Sequence, residues 1–241
     1  MKKIFGIIIL LILIALGICA YFFPGLPYYY KTKHEFNETN SIWYELPDKL
    51  PKLSSDNFDQ YSSLGVRITA WKGLEPVHTE EKDAVMWGSK DTNLFVSVCQ
   101  DTLGENFDFL DMTGIDPNDL DNYCKKKQKS TPQNKGDFVR LAATLTMNDI
   151  DIHSSRNAKT FYKIMNCKND LILADASSVK FYPVEGVGFR GFLQTNDAPD
   201  GQFAFINIYP ERDKKHRYIL SMSVTDWDEV IAMAESIQLT E

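Results

Sequence analysis

The hydrophobic positions of this chain begin with one unbroken run near its start. From Ile4 to Phe23 no side chain is charged or carries an amide. A helix of that length rises about 1.5 Å per residue and covers about 30 Å, the thickness of the hydrocarbon core of a bilayer. The run therefore predicts a transmembrane helix over residues 4–23, with Ile4, Leu11, Leu16 and Phe23 among its lipid-facing residues.

A cleaved signal peptide is the alternative interpretation of this run. Signal peptides have shorter apolar regions, about 7–15 residues long, that end at small residues in an A-x-A-like site. Ile18-Cys19-Ala20 matches that site only in part. Lipidation of Cys19 is a further alternative, although the bulky Ile18 stands where lipoprotein signals have a small residue. The aromatic residues at 21–23 and 28–30 are typical of a retained helix at the membrane interface and favour retention.

Positive charge beside the apolar run predicts its orientation. Lys2 and Lys3 precede the run, and basic residues remain preferentially on the cytoplasmic side of a membrane helix. Lys31 and Lys33 follow the run and partly dilute this bias. Residues 1–3 are accordingly predicted to form a cytoplasmic tip, and the rest of the chain is predicted to lie outside the cytoplasm.

The segment after the apolar run has no sustained period. Pro24, Gly25 and Pro27 predict that the helix stops there. Residues 24–60 are interpreted as a stalk or surface arm, and residues 61–241 as an α+β domain with a helical middle over 116–169.

Alternation with a period of two predicts several strands in that domain. Val66, Ile68 and Ala70 alternate with more polar neighbours, and both alternating faces are largely apolar in 203–209. The latter pattern is typical of a central strand that is covered on both sides. Short, turn-rich connections predict an antiparallel meander in the last third. Strands are predicted at 66–71, 94–99, 179–182, 189–194, 202–209 and 218–224.

Helical spacing marks the middle and the end of the domain. Two amphipathic helices are predicted, one on Phe138, Leu141, Ala142 and Leu145, and one on Ala158, Phe161, Tyr162 and Met165. Thr131-Pro132 is the predicted start of the first. A shorter helix is predicted over 119–127. A final helix on Trp227, Val230, Ile231 and Ala234 has a predicted capping box of Thr225 and Asp228.

The predicted fold class is thus α+β, with one N-terminal transmembrane helix followed by a mostly antiparallel sheet packed with helices. The stretch from Tyr218–Val224 to the helix containing Ala232–Ile237 resembles the α/β/α sandwich of PsbP-like domains. The resemblance covers at most about fifty residues and includes no diagnostic motif. It implies that 116–169 elaborates that fold and that the domain is an accessory or assembly module, although fold alone does not determine function.

Composition and charge exclude several classes of protein. With 241 residues, 44% hydrophobic and 24% charged, the chain is globular in composition and needs no disulfide or metal to stabilise its core. The net charge is −7, and because Lys2 and Lys3 precede the apolar run, the remainder carries −9. A nucleic-acid partner is not expected.

The most suggestive motif is Gly186-Val-Gly188-Phe-Arg-Gly191, which matches the G-x-G-x-x-G of dinucleotide-binding loops. A strand-like run follows these glycines where that loop requires a helix. The motif is therefore interpreted as a bulge or tight hairpin, and no cofactor is predicted.

Two acidic clusters are candidates for metal sites. On a strand, Asp149, Asp151 and His153 would share one face and present metal-binding groups, but no fourth ligand is evident. As a link between helices, the same residues would serve as polar or capping groups. The segment 116–121 lacks the glycine and glutamate of a calcium loop and is interpreted as a capped helix start.

Lys125, Lys126, Lys127 and Lys129, with Lys135 nearby, form the most basic stretch of an acidic exterior. Such a stretch can contact anionic headgroups or a wall polymer. The alternative is a solvated helix end, because lysines also favour helix C-termini.

The remaining reactive residues form no recognisable set. His34, His78 and His216 have no catalytic motif beside them. Cys99 fits a small buried residue on a strand, and Cys124 and Cys167 would pair only if their helices pack together. Asn37-Glu-Thr39 is a glycosylation sequon.

These observations predict a membrane-anchored, extracytoplasmic binding or accessory module, non-catalytic, with membrane lipid and an envelope protein as partners. One alternative is an anchored hydrolase with dispersed residues around His153 or His216, which requires a histidine beside a carboxylate or nucleophile. Another is an envelope inhibitor or immunity protein whose acidic face neutralises a basic partner.

Overall fold

The computed structural model describes residues 2–36, 38–102, 110, 113–173, 179–198, 201–213 and 215–240. These residues form an α+β structure with antiparallel sheets, as predicted. Its α-helices are α1 Lys2–Phe22, α2 Leu26–Glu35, α3 Pro117–Lys126, α4 Lys135–Thr144, α5 Ser155–Cys167 and α6 Trp227–Glu235. Its strands are β1 Phe58–Ser63, β2 Val66–Trp71, β3 Glu75–Val77, β4 Ala84–Gly88, β5 Phe95–Thr102, β6 Phe181–Gly186, β7 Phe189–Ala198, β8 Gly201–Pro210, β9 His216–Ser223 and β10 Gln238–Leu239.

The larger sheet has seven strands in the order β3-β4-β5-β9-β8-β7-β6, each antiparallel to its neighbours. Strands β6 to β9 follow one another in space as they do in the chain, so the predicted meander is confirmed. β8 lies inside the sheet. Its Ala204, Ile206 and Ile208 are buried on one face, while Phe203 and Phe205 are half-buried on the other, in keeping with the apolar pattern of both faces.

The smaller sheet has three strands in the order β1-β2-β10. The alternating Val66, Ile68 and Ala70 of β2 are fully buried and belong to one hydrophobic cluster with residues of the large sheet and of α6. β1 begins at Phe58, three residues before the predicted start of the domain. α6 is capped by Asp226, whose carboxylate accepts hydrogen bonds from the amides of Asp228 and Glu229, so the predicted capping box with Thr225 is wrong.

Helices α3, α4 and α5 bury the apolar stripes that their spacing predicts. Their shared cluster includes Tyr123, Leu141 and Phe161, all nearly or fully buried. α3 is capped by Asp116, which confirms the capped-start interpretation. α4 begins only at Lys135, and the predicted start at Thr131-Pro132 is wrong. A 3₁₀ turn, Met147–Asp149, and a π-helix, Lys168–Leu173, complete this region.

The segment 24–60 contains a helix that its sequence pattern did not predict. α2 has Pro27 in its first turn and lacks a regular apolar stripe. Tyr28 and Tyr29, with Phe36 just after the helix, pack on the same hydrophobic cluster as α5. Aromatic contacts with a distant element therefore stabilise a helix that local periodicity alone does not indicate.

The chain divides into two compact, discontinuous units. The helical unit comprises Met1–Ser41, Asp108–Gln133 and Asp137–Ala174, and the sheet unit comprises Ile42–Phe107, Asn134–Gly136 and Asp175–Glu241. Each has its own hydrophobic cluster. The N-terminal helix thus belongs to the same unit as the helical middle of the sequence.

No single helix among the described residues meets both the length and the hydropathy of a membrane span. Ile7–Phe22 and Leu26–Glu35 meet them together, as a pair bent by 86°.

Candidate functional site

The first notable feature of the helical unit is the bare surface of α1. Every residue from Ile7 to Phe22 is exposed, and the exposed fractions of its large apolar side chains run from 43% at Ile9 to 80% at Tyr21. Leu11 and Leu16, two of the predicted lipid-facing residues, are 60% and 59% exposed. Since consecutive residues point to all sides of a helix, no face of this one is covered by the described part of the chain.

The C-terminal end of α1 is held by the loop that precedes α5. The backbone carbonyl oxygen of Phe22 lies 3.0 Å from Nδ1 of His153. Phe23, which follows the helix, is half-buried and its ring centroid lies 5.0 Å from that of His153. The last carbonyls of a helix point out of its C-terminal end. His153 therefore lies beyond the end of α1, and Phe23 serves as a contact of the helical unit.

Gly25 fixes the bend between α1 and α2. Its amide donates to the carbonyl oxygen of Ile152 at 2.8 Å. A Cβ at this position would lie 2.6 Å from the carbonyl oxygen of Asp151 and 2.9 Å from Cβ of Ala158. Its φ of −87° is an ordinary one. Glycine is therefore required here by the close approach of two backbones and not by an unusual conformation.

α2 packs along α5 through aromatic rings. The ring of Tyr162 lies 6.1 Å from that of Tyr28 and 5.4 Å from that of Phe36, and its hydroxyl donates to the Glu35 carboxylate at 2.6 Å. The hydrogen bond to that carboxylate and burial raise the pKa of Tyr162. Lys31 lies over the same ring, 4.3 Å from its centroid. These contacts hold α2 along its length.

The opposite face of α2 is exposed and both aromatic and basic. Tyr30 is 57% exposed, and Lys31, Lys33 and His34 are exposed as well. Tyr30, His34 and Pro27 lie on the part of the helix that is turned away from the buried Thr32, whereas Lys31 reaches back over the ring of Tyr162 on α5.

The predicted basic stretch lies at the end of α3, where most of its lysines have partners within the helical unit. Lys125 forms an ion pair with Asp121 at 2.6 Å, and this lysine is the main reason that the pKa of Asp121 is lowered. Lys127 donates to the carbonyl oxygen of Ile150 at 3.3 Å. Lys129 pairs with Asp149 at 3.2 Å. Lys126 is exposed. Both the solvated-helix-end interpretation and a surface contact are compatible with this arrangement.

The predicted metal candidates link helices, as the alternative interpretation held. Asp149 closes a capping box with Thr146. Asp151 accepts from the backbone amide of His153 at 3.2 Å and from the side-chain amide of Asn157 at 3.0 Å. Within the part of the chain that the structure describes, no three His, Cys, Asp or Glu side chains are grouped to hold a metal ion. The three residues organise the loop that contacts α1.

Lys168 is the most unusual ionisable residue of the helical unit, and no sequence pattern indicated it. Its side chain is fully buried where α5 passes into the π-helix. Nζ donates to the carbonyl oxygen of Leu145 at 3.2 Å and to that of Asn40. Burial lowers the pKa of Lys168 to about 8, opposed in part by Glu38 and Asp149. Its amine joins three segments that are distant in the sequence.

In the sheet unit, polar residues gather where β5 and β9 pair. Arg217 donates to the Asp101 carboxylate at 2.7 Å through Nε. His216 lies beside Asp213, with Nδ1 2.6 Å from a carboxylate oxygen, and this contact lowers the pKa of Asp213. Asp213 also accepts from the amide of Lys215, so the pair belongs to the β8–β9 turn.

The three glycines of the G-x-G-x-x-G motif form the β6–β7 hairpin and each has a structural reason. Gly188 occupies the turn at a φ of +80°. A Cβ at Gly186 would meet the ring of Phe189 at 2.3 Å. A Cβ at Gly191 would lie 2.1 Å from the carbonyl oxygen of Asn207 on β8. The hairpin interpretation of this motif is confirmed.

The cysteines are free in this structure. Cys124 and Cys167 are buried in the helical unit, and no disulfide joins them. Burial raises the pKa of each of these thiols to about 11. Cys99 is half-buried on β5. Asn37 of the glycosylation sequon lies outside the described residues.

No family model matches the chain, and no curated protein matches it either.

Proposed function

We propose that this protein is a membrane-anchored, extracytoplasmic accessory or binding module whose anchor is α1. The observation that carries the proposal is the uncovered apolar surface of α1. Ten isoleucine and leucine side chains between Ile7 and Ile18 are each more than 40% exposed. Fully removing one such side chain from water contributes about 1.5–3 kcal/mol. A lipid environment covers all sides of a helix at once, whereas a groove in a protein partner covers one face.

The ends of α1 support the direction of insertion. Lys2 and Lys3 stand at its start, and Tyr21 and Phe22 at its end, in the positions that favour a cytoplasmic N-terminus and an aromatic interface on the far side. Both units then lie outside the cytoplasm. An accessory or binding role is supported by acidic residues such as Asp116, Asp149 and Asp226, which serve as helix caps.

Membrane insertion can be tested with one charge. We expect Leu11→Arg to increase the fraction of the protein that carbonate extracts from the membrane, because an arginine at the middle of a membrane helix costs about 2.5–3.5 kcal/mol. Val187→Arg is the matched control, since Val187 is an apolar residue that is 97% exposed in a β-turn. Equal extraction of both variants and the wild type would contradict the anchor.

Orientation and partner need separate measurements. Protease added to intact spheroplasts is expected to digest a C-terminal tag while a cytosolic control survives. Protection of the tag would reverse the predicted orientation.

Affinity capture of the full-length protein from its native membrane, with Leu11→Arg as the weakly anchored control, is expected to recover an envelope protein. Recovery of the same proteins in both samples would contradict a partner that is met at the membrane.

One observation favours hydrolysis as a second candidate function. His216 stands beside the Asp213 carboxylate at 2.6 Å, which is the histidine–carboxylate pair that a dispersed site requires. The hydrolase would lose activity on ester or amide substrates after His216→Ala. If neither the wild type nor this variant hydrolyses a broad substrate panel, the pair is part of the β8–β9 turn alone.

A further inference from the structure

We infer that α2 lies flat in the headgroup layer and holds the helical unit directly against an anionic lipid surface. This inference rests on the proposed membrane anchoring and deepens it. In this arrangement the start of segment 24–60 is not a stalk between anchor and domain, because α2 keeps the helical unit in contact with the membrane surface. The occupant of the exposed face of α2 is then the membrane itself.

The axes of α1 and α2 are nearly perpendicular. α1 and α2 are bent by 86° across a break of only three residues, 23–25. A helix perpendicular to one that crosses the bilayer runs parallel to the bilayer plane. Because α2 starts where the apolar surface of α1 ends, it lies at the depth of the headgroups.

The bend between α1 and α2 is held by contacts with the loop before α5 and with α5 itself. The Phe22 carbonyl, the Phe23 ring and the Gly25 amide are all held by residues 152–153. α2 is held in addition by Tyr162 of α5. The bend is therefore part of the packed helical unit, and the direction of α1 determines that of α2.

The exposed face of α2 has aromatic and basic side chains. Tyr30, Lys33 and His34 combine an aromatic ring with cationic or polar tips, the residue types that favour the membrane interface. Glu35 is the acidic residue of this helix, and it is engaged by Tyr162 and by Lys31. The face is thus complementary to anionic headgroups.

Lys127, in the basic stretch at the end of α3, is connected to the bend through the loop that precedes α5. Its Nζ is 3.3 Å from the Ile150 carbonyl oxygen, and the Ile152 carbonyl oxygen is 2.8 Å from the Gly25 amide. Since two residues of extended chain span about 7 Å at most, Lys127 Nζ lies within about 13 Å of the Gly25 amide.

The experiment uses the full-length protein in vesicles of zwitterionic lipid with or without an anionic lipid. A bimane fluorophore is placed at Tyr30→Cys in a Cys19→Ala background. The quencher is a nitroxide on the lipid headgroup or, as the matched control, a nitroxide at the end of the acyl chain. We expect strong quenching at position 30 by the headgroup nitroxide, increasing with anionic lipid, and weak quenching by the acyl-chain nitroxide. Weak quenching by the headgroup nitroxide in both lipid mixtures would overturn the inference.

Native Cys19 separates this inference from the proposed anchor. It is exposed on α1, so bimane on Cys19 is expected to be quenched by a nitroxide on the acyl chain. Quenching at Cys19 without quenching at position 30 would retain the anchor and overturn the flat α2, whereas no quenching at Cys19 would overturn the anchor itself. Lys33→Glu is expected to abolish the increase caused by anionic lipid, whereas Lys33→Arg, which keeps the positive charge, is expected to preserve it. Loss of the increase in both variants, or in neither, would overturn the role of α2 charge.

Discussion

At the scale of single residues, two buried contacts hold the helical unit together across long sequence distances. Gly25 allows the backbone at the end of α1 to approach residues 151–152, and Lys168 donates to carbonyl groups near residues 40 and 145. Neither position belongs to a recognisable motif. Each residue is expected to contribute to the free energy of unfolding, and one substitution at each position tests that contribution.

Gly25→Ala is expected to lower the free energy of unfolding by about 1–3 kcal/mol, the usual cost of an overpacked site. The added Cβ would meet backbone atoms of Asp151 and Ile152 at 2.6 Å and 2.9 Å. Gly17→Ala is the control, because nothing lies within 4 Å of a Cβ there. Denaturant unfolding in micelles measures both, and equal stability of the two variants would show that the bend is loosely packed.

Lys168 is expected to make stability depend on pH. Burial lowers its pKa from 10.5 to about 8 in the folded state, so between these values the unfolded chain binds more protons and stability rises with pH. From pH 7 to 9.5 this contribution grows by about 2 kcal/mol. Lys168→Met should remove that increment from the unfolding profile, while Lys126→Met, at an exposed position, should keep it. An unchanged profile in Lys168→Met would contradict the burial of a titrating amine.

At the scale of elements, the β6–β7 hairpin shows why a glycine motif can have a purely structural origin. Its turn needs a residue at positive φ, and its second strand approaches β8 too closely for a side chain at Gly191. The two requirements differ in kind, since one concerns backbone conformation and the other concerns space. Their energetic costs should therefore differ.

Gly191→Ala is expected to lower the free energy of unfolding by about 3 kcal/mol or more, because its Cβ would lie 2.1 Å from the carbonyl oxygen of Asn207. Gly188→Ala should cost only about 1–2 kcal/mol, the price of a left-handed conformation with open space around it. Chemical denaturation of both variants gives the comparison. The reverse order of stability would mean that β7 and β8 are not paired in this register.

At the scale of the whole molecule, the described residues form two hydrophobic clusters with no member in common. One is built on the helices that include Phe161, the other on the sheets that include Ile206. The whole chain carries a net charge of −7, while Lys33 and His34 are exposed on α2 and Lys126 is exposed on α3.

Hydrogen exchange should distinguish the two units. Phe161→Ala and Ile206→Ala each remove a fully buried side chain, at a cost of about 3–5 and 2–5 kcal/mol respectively. We expect the first to speed exchange most in α3 and α5, and the second most in β7, β8 and β9. Uniform loss of protection in both variants would indicate that the chain unfolds as one cooperative body.

Much of this architecture follows from local pattern. The antiparallel meander, the helices around Phe138 and Phe161, and the hairpin at Gly188 were predicted because a period of 2 or 3.6 and a turn residue are properties of neighbouring positions. Helix starts were predicted less well. Asp226 and not Thr225 caps α6, and several polar residues near a helix start compete for that role on equal terms in the sequence.

The sequence by itself determined the fold class, most of the elements and the apolar character of residues 4–23. Only the tertiary structure decided that 26–35 is a helix, that His153 contacts the end of α1, and that the thiols of Cys124 and Cys167 are free. The physical reason is that periodicity reports which side of an element is buried, whereas the partner that buries it is selected by contacts between residues more than a hundred positions apart, as between Phe22 and His153.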